Sequence, residues 1–100
     1  MFFVILASDR PGALELRLAH RQRHIDYWNS LPGVVRIGGA MLSDDTGEAT
    51  PKGSAFIIEA GSLEAARALL AADPFTTEGV FGGDARIEVL RPGIGDWKPG

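Results

Sequence analysis

The sequence predicts an α+β fold of the ferredoxin-like kind, with a four-stranded antiparallel sheet and two helices on one of its faces. Three observations lead there. Apolar, β-rich runs alternate with helix-forming stretches along most of the 100 residues. Pro-Gly pairs and polar segments separate these runs at strand and helix lengths. The two middle strands are joined by a polar loop and the outer connections are helical, which gives the order β-α-β-β-α-β of the split βαβ unit with right-handed crossovers.

Each element has its own signal. FFVILA, residues 2–7, is a continuous apolar run closed by SDRPG, as expected of a strand covered on both faces. After Pro11-Gly12, the stretch ALELRLAHRQRHIDYWNSL places Leu14, Leu18, Ile25 and Trp28 on one helical stripe, and Pro32-Gly33 stops it. Residues 34–42, VVRIGGAML, form a second strand interrupted by Gly38-Gly39, a sign of a bulge or of a close approach to the backbone. A polar turn, SDDTGEATPKG, leads to a third strand at 54–60 and so to a hairpin; Asp44, Asp45 and Glu48 are its solvated charges. Ser62 caps LEAARALLAA, whose alanine-rich composition favours helix, and Pro74 ends it near Asp73. DPFTTEG makes one turn closed by Gly79, and ARIEVLRP, residues 85–92, alternates as a half-buried strand. Residues 93–100 are an irregular tail whose Trp97 is expected to pack on a surface.

Composition excludes several classes of function. The length suits one domain spanning 1–100, and a 45% hydrophobic content supports a core. A fold of this kind leaves one sheet face open, and the apolar content suggests that a second copy covers it. Ten Lys and Arg against 13 Asp and Glu, a net charge of −3, give no electrostatic footprint for nucleic acid. The absence of cysteine removes disulfides, thiol catalysis and Cys-based zinc sites, and suits a cytoplasmic protein. The N-terminal apolar run is too short to span a membrane and has no basic region before it. No phosphate loop, dinucleotide fingerprint or serine elbow is present.

Candidate chemistry gathers on the first helix. Arg17 and His24 lie close together beside the apolar stripe, and Arg21 falls within it, where an arginine needs a partner or a route to water. Such an Arg-Arg-His edge is where a pocket between helix and sheet would place polar groups. From the residues alone the plainer reading is structural, with Arg17 and Arg21 in salt bridges and His24 capping the edge of the core. His20 and His24, four apart, have metal-chelating spacing, but no third ligand is singled out and no metal is assigned. Asp73 before Pro74 reads locally as a helix cap. A carboxylate beside a histidine can also fix its tautomer and stabilise its charge for acid–base work, and one residue can do both.

Taken together, these pieces resemble the YciI-like (YCII-related) family: Arg17, Arg21 and His24 in RLAHRQRH, Gly33 and GGA of the second strand, and SLEAARALLAADPF…GVF before the last strand. The resemblance runs from residue 2 to about residue 92. It implies a fold that pairs through its sheets as a dimeric α/β barrel, and a candidate active site built on His24 and Asp73. It also implies that Arg17 and Arg21 line the same cleft. A related member is a dehydrochlorinase acting on a chlorinated hydroxyhydroquinone, and the wider superfamily includes muconolactone isomerases and small monooxygenases. The family often has proline after the paired glycines, where this chain has Ala40.

The expectation is therefore a small homodimeric enzyme that uses His24 and Asp73 for isomerisation or elimination on a small anionic, aromatic substrate. Arg17, Arg21 and Gly39 would bind that substrate, and these parts require no cofactor. The alternative is a non-catalytic small-anion-binding or accessory dimer module built on the same cleft.

Overall fold

The computed structural model describes residues 1–97, so the last part of the expected tail, residues 98–100, lies outside the described residues. Seven elements follow in chain order: β1 (Phe2–Ser8), α1 (Leu14–Asn29), β2 (Val35–Leu42), β3 (Pro51–Glu59), α2 (Leu63–Ala71), α3 (Pro74–Thr77) and β4 (Arg86–Leu90). The four strands make one antiparallel sheet in the order β2-β3-β1-β4, the expected ferredoxin-like arrangement. The single turn of α3 is the DPFTTEG segment. Gly79 closes it at φ +73°, a conformation that suits glycine, and a side chain there would also meet the Arg10 guanidinium.

One face of the sheet is buried. Phe3, Ile5 and Ala7 of β1 and Phe56 and Ile58 of β3 alternate onto it and pack against Ala13, Trp28, Ala66, Leu70, Phe75, Val80 and Phe81. Burying a Phe or Ile side chain contributes about 1.5–3 kcal/mol, so these residues hold the helices to the sheet. Ser62 caps α2 as expected, its side chain accepting from the Ala65 N–H at 3.0 Å.

The other face is open. Cross-strand partners share a face, and the pairs Val4–Ile57, Leu6–Ala55, Ile37–Ile57 and Phe2–Leu90 put an apolar patch there, edged by Glu59, Arg86 and Glu88, which pair with Phe2, Leu6 and Val4. So β1 is not covered on both sides: Leu6 is 38% exposed. Trp97 meets the expectation of a surface contact only loosely. It borders a hollow with Phe2, Ile37 and Ile57 and stays 79% exposed.

The register of α1 differs from the periodicity reading. Leu14 and Leu18 are exposed, whereas Ala13, Arg17 and Trp28 are buried and His24 is half-buried. The helix is turned by roughly one residue step, about 100°, from the predicted stripe. Arg21 accordingly sits at an exposed rim and not within an apolar seam. The cause is that the helix buries its polar site face against the sheet. Among the described residues no helix is long and apolar enough to cross a membrane.

Candidate active site

Between α1 and the sheet lies a cavity of about 250 Å³ bordered by Arg17, Arg21, His24, Trp28, Gly39 and Ser54, among others. A dry cavity of about 150 Å³ accepts benzene, so this one has room for a single substituted ring. The structure brings His24, Arg17, Arg21 and Gly39 to its wall, with Asp73 directly behind the histidine.

Asp73 is completely buried, and its local and functional readings coincide. It caps α3, its Oδ1 accepting from the Phe75 N–H at 2.9 Å, with Pro74 at the first helical position. His24 Nδ1 lies 2.8 Å from both carboxylate oxygens, and the Trp28 indole N–H donates to Oδ2, also at 2.8 Å. A buried carboxylate is tolerated only when its oxygens are satisfied, and here three donors, two from α1 and one from α3, converge on it. Because the carboxylate accepts, the hydrogen of His24 is assigned to Nδ1, which leaves Nε2 as the ring nitrogen free for other work.

The imidazole is held in plane as well. It stacks on Phe75 with centroids 3.9 Å apart and planes 10° from parallel, and Phe56 tilts against it at 5.9 Å. Nearby, burial first and the Asp73 charge second hold the Tyr27 phenol above its ordinary range, so it stays a neutral donor to the Leu69 carbonyl at 2.6 Å.

The two arginines are unlike each other. Arg17 is 4% exposed. Its Nε and Nη2 donate to the two oxygens of Asp9 at 2.7 and 3.1 Å, and Nη2 donates to Ser54 Oγ at 2.8 Å. Its guanidinium also lies 4.6 Å from the Phe75 ring centroid. Arg21 has no ion-pair or hydrogen-bond partner among the described residues.

Sequence reasoning missed Asp9, Ser54 and the polar end of Trp28. Asp9 stood in the SDRPG turn eight residues before Arg17, and only the packing of the turn against the helix reveals the pair. Ser54 carries no motif in the sequence, and it acts here as a hydrogen-bond acceptor. Trp28 was read as apolar filler, but its indole nitrogen faces Asp73. His20 points away from this site: its Nδ1 is 3.2 Å from Arg23 and its Nε2 3.9 Å from Glu78. Among the described residues no group of three or more His, Asp or Glu could hold a metal ion.

The paired glycines have separate reasons. A Cβ on Gly38 would stand 2.8 Å from the Phe56 ring, whereas one on Gly39 would meet nothing within 4 Å. The irregularities lie to either side of the glycines, at register shifts between Val35 and Ile37 and between Met41 and Leu42. Phe56 is wedged against Trp28 at 4.9 Å and has little room to retreat. Gly38→Ala is therefore expected to cost about 1–3 kcal/mol and Gly39→Ala less than about 0.5 kcal/mol, read as melting temperatures side by side. Equal melting of the two variants would contradict this account.

A ferredoxin-like α+β domain with a ring-sized, histidine- and arginine-lined cleft defines the class of protein. Comparison with known proteins gives the family: residues 1–89 match the model of the YCII-related domain, and the chain belongs to that family. It is similar to the protein YciI of Escherichia coli, 40% identical over 86 residues that cover 81% of this chain and 88% of that protein. An uncharacterized protein of Haemophilus influenzae is 34% identical over the same coverage. Among solved structures, the 5-chloro-2-hydroxyhydroquinone dehydrochlorinase TftG of Burkholderia phenoliruptrix, in complex with 2,5-dihydroxybenzoquinone, superposes with a TM-score of 0.85. It is 33% identical, with 93% of this chain and 96% of that chain covered.

Proposed function

We propose that this chain is a small acid–base enzyme that moves a proton on, and eliminates a leaving group from, a hydroxylated ring. The observation that carries this reading is the His24–Asp73 pair: Nδ1 is held by a buried carboxylate, so Nε2 is presented by a ring fixed at the wall of a cavity. Support also comes from the dehydrochlorinase that shares the fold at 33% identity.

The chemistry balances with these groups alone. Nε2 takes the proton of a ring hydroxyl and returns it to the ring carbon bearing the halogen, which becomes tetrahedral. Nε2, free again, takes the proton of a second hydroxyl, the O–H electron pair forms a carbonyl, and the halide leaves to solvent with the C–halogen electrons, giving a hydroxyquinone. Asp73 holds the imidazole in orientation and stabilises its charge while it carries the proton. Arg21 stabilises negative charge on the ring oxygens, Arg17 donates hydrogen bonds to them, and the Gly39 backbone borders the ring beside β2. The test is to incubate the chain with 5-chloro-2-hydroxyhydroquinone and follow chloride release and the quinone spectrum. No chloride above the uncatalysed rate, with this and a panel of halogenated hydroxyarenes, would sink the elimination reading.

The working form is a homodimer joined through the open sheet faces. An antiparallel sheet with a solvated face alternates apolar and polar residues, yet Val4, Leu6, Ile37 and Ile57 form a continuous apolar surface here. Ile57→Glu is expected to halve the mass measured by light scattering at micromolar concentration. An unchanged mass would remove this face as the interface.

A further inference from the structure

Asp9 has no place in the proton transfers, yet it is a carboxylate with an 8% exposed side chain at the edge of the site. Its position is fixed from several sides. Its N–H donates to the Lys52 carbonyl at 2.9 Å, and it forms an isolated bridge with Phe81. The neighbouring Arg10 N–H donates to the Val80 carbonyl at 2.8 Å. The turn after β1 is thus tied to both β3 and the segment before β4, and Asp9 meets Arg17 as a two-pronged pair.

The pair changes what Arg17 can offer. A bidentate carboxylate cancels the guanidinium charge and fixes the plane of the fork. Ser54 braces Nη2 from the sheet and Phe75 lies against the flat face. Nη1 donates to neither Asp9 nor Ser54. Arg21, at the exposed rim of the same cavity, has no counter-charge among the described residues.

We propose that Asp9 is a specificity-determining residue that acts through Arg17: it makes Arg17 a charge-compensated, directed hydrogen-bond donor and leaves Arg21 to supply the uncompensated charge that attracts an anion. This rests on the reading that the cavity takes an oxygen-bearing ring anion. The consequence is selectivity. A planar ring with oxygens at set positions gains from the oriented Nη1 donor, whereas a compact anion such as phosphate finds only one uncompensated charge.

The test uses two probes, 2,5-dihydroxybenzoquinone and inorganic phosphate, titrated calorimetrically at several salt concentrations. Wild-type chain is expected to prefer the quinone, with a salt dependence that Arg21→Gln largely abolishes. Asp9→Asn keeps the side-chain shape but unmasks Arg17. Phosphate should then bind roughly ten-fold more tightly, as expected for one added charge in a partly screened site, its salt dependence should steepen, and the preference for the quinone should shrink. A merely structural Asp9 would weaken both anions or neither, and either result overturns the proposal. If Asp9→Asn fails to fold by thermal melting, Arg21→Gln decides: a salt dependence that survives it means that Arg17 acts as a free charge, and the proposal fails. Wild-type chain that binds neither probe also overturns it. The acid–base reading fails separately. A chain that shows the expected binding pattern but releases no halide keeps Asp9's role and loses the chemistry, and a chain that turns over with an indifferent Asp9→Asn does the reverse.

Discussion

Replacing His24 by glutamine is expected to lower turnover of a halogenated hydroxyarene by on the order of 10²–10⁴-fold, the range for losing a positioned acid–base group, with little change in melting temperature. Glutamine can still donate to Asp73 and lie against Phe75, so the packing around the buried carboxylate survives. It cannot take up a proton at the position of Nε2. Asp73→Asn should fall in the same range by another route. An amide in place of the carboxylate can present its NH₂ to Nδ1, which turns the imidazole to the wrong tautomer and removes the charge that stabilises it when protonated. The two changes act on one unit, so the double variant should be little worse than the poorer single one. Steady-state rates of the three variants check this. Multiplying defects, or full activity in either single variant, would mean that the residues do not work as a pair.

Asp73→Ala is expected to be the most destabilising substitution at this site, by about 3–5 kcal/mol, as three buried N–H donors lose their acceptor together. The truncation leaves the Trp28 indole N–H, the Phe75 N–H and His24 Nδ1 without their acceptor, and each stranded buried donor costs about 1–3 kcal/mol. A cavity and a lost cap add to this. For a domain of this size 1 kcal/mol corresponds to about 4–8 °C, so the melting temperature should fall by some 20 °C, against total stabilities of about 5–15 kcal/mol. Asp73→Asn, which keeps an acceptor oxygen, should lose much less. Calorimetry on both variants separates them. An alanine variant that melts within a few degrees of the wild type would show that the three donors find other acceptors.

Most of the fold could be read because its punctuation is local. FFVILA, the Pro-Gly stops and the Ser62 cap each act over a few residues, and their order leaves few topologies to choose from. The face of α1 could not be read that way. Periodicity counts apolar residues, and it picked Leu14 and Leu18, whereas the residues that pack on the sheet include Arg17 and His24, whose polar ends have partners 8 and 49 residues away. No local pattern encodes those partners. Asp73 was legible twice, as a cap from its proline and as a partner of His24 from family resemblance, but the geometry that lets one carboxylate serve both came only with the fold. Asp9 and Ser54 had no such resemblance behind them and stayed hidden.

Residues 38–40 border the cavity on one side and the apolar hollow of the open sheet face on the other. Two glycines and an alanine make this wall little more than bare backbone. If a second copy covers the open face, as proposed above, filling the cavity and covering the sheet would be linked through this shared wall. By reciprocity, each must shift the affinity of the other by the same factor. Proline after the glycines would fix φ and stiffen that partition. Ala40 places no such constraint on the wall that the two hollows share.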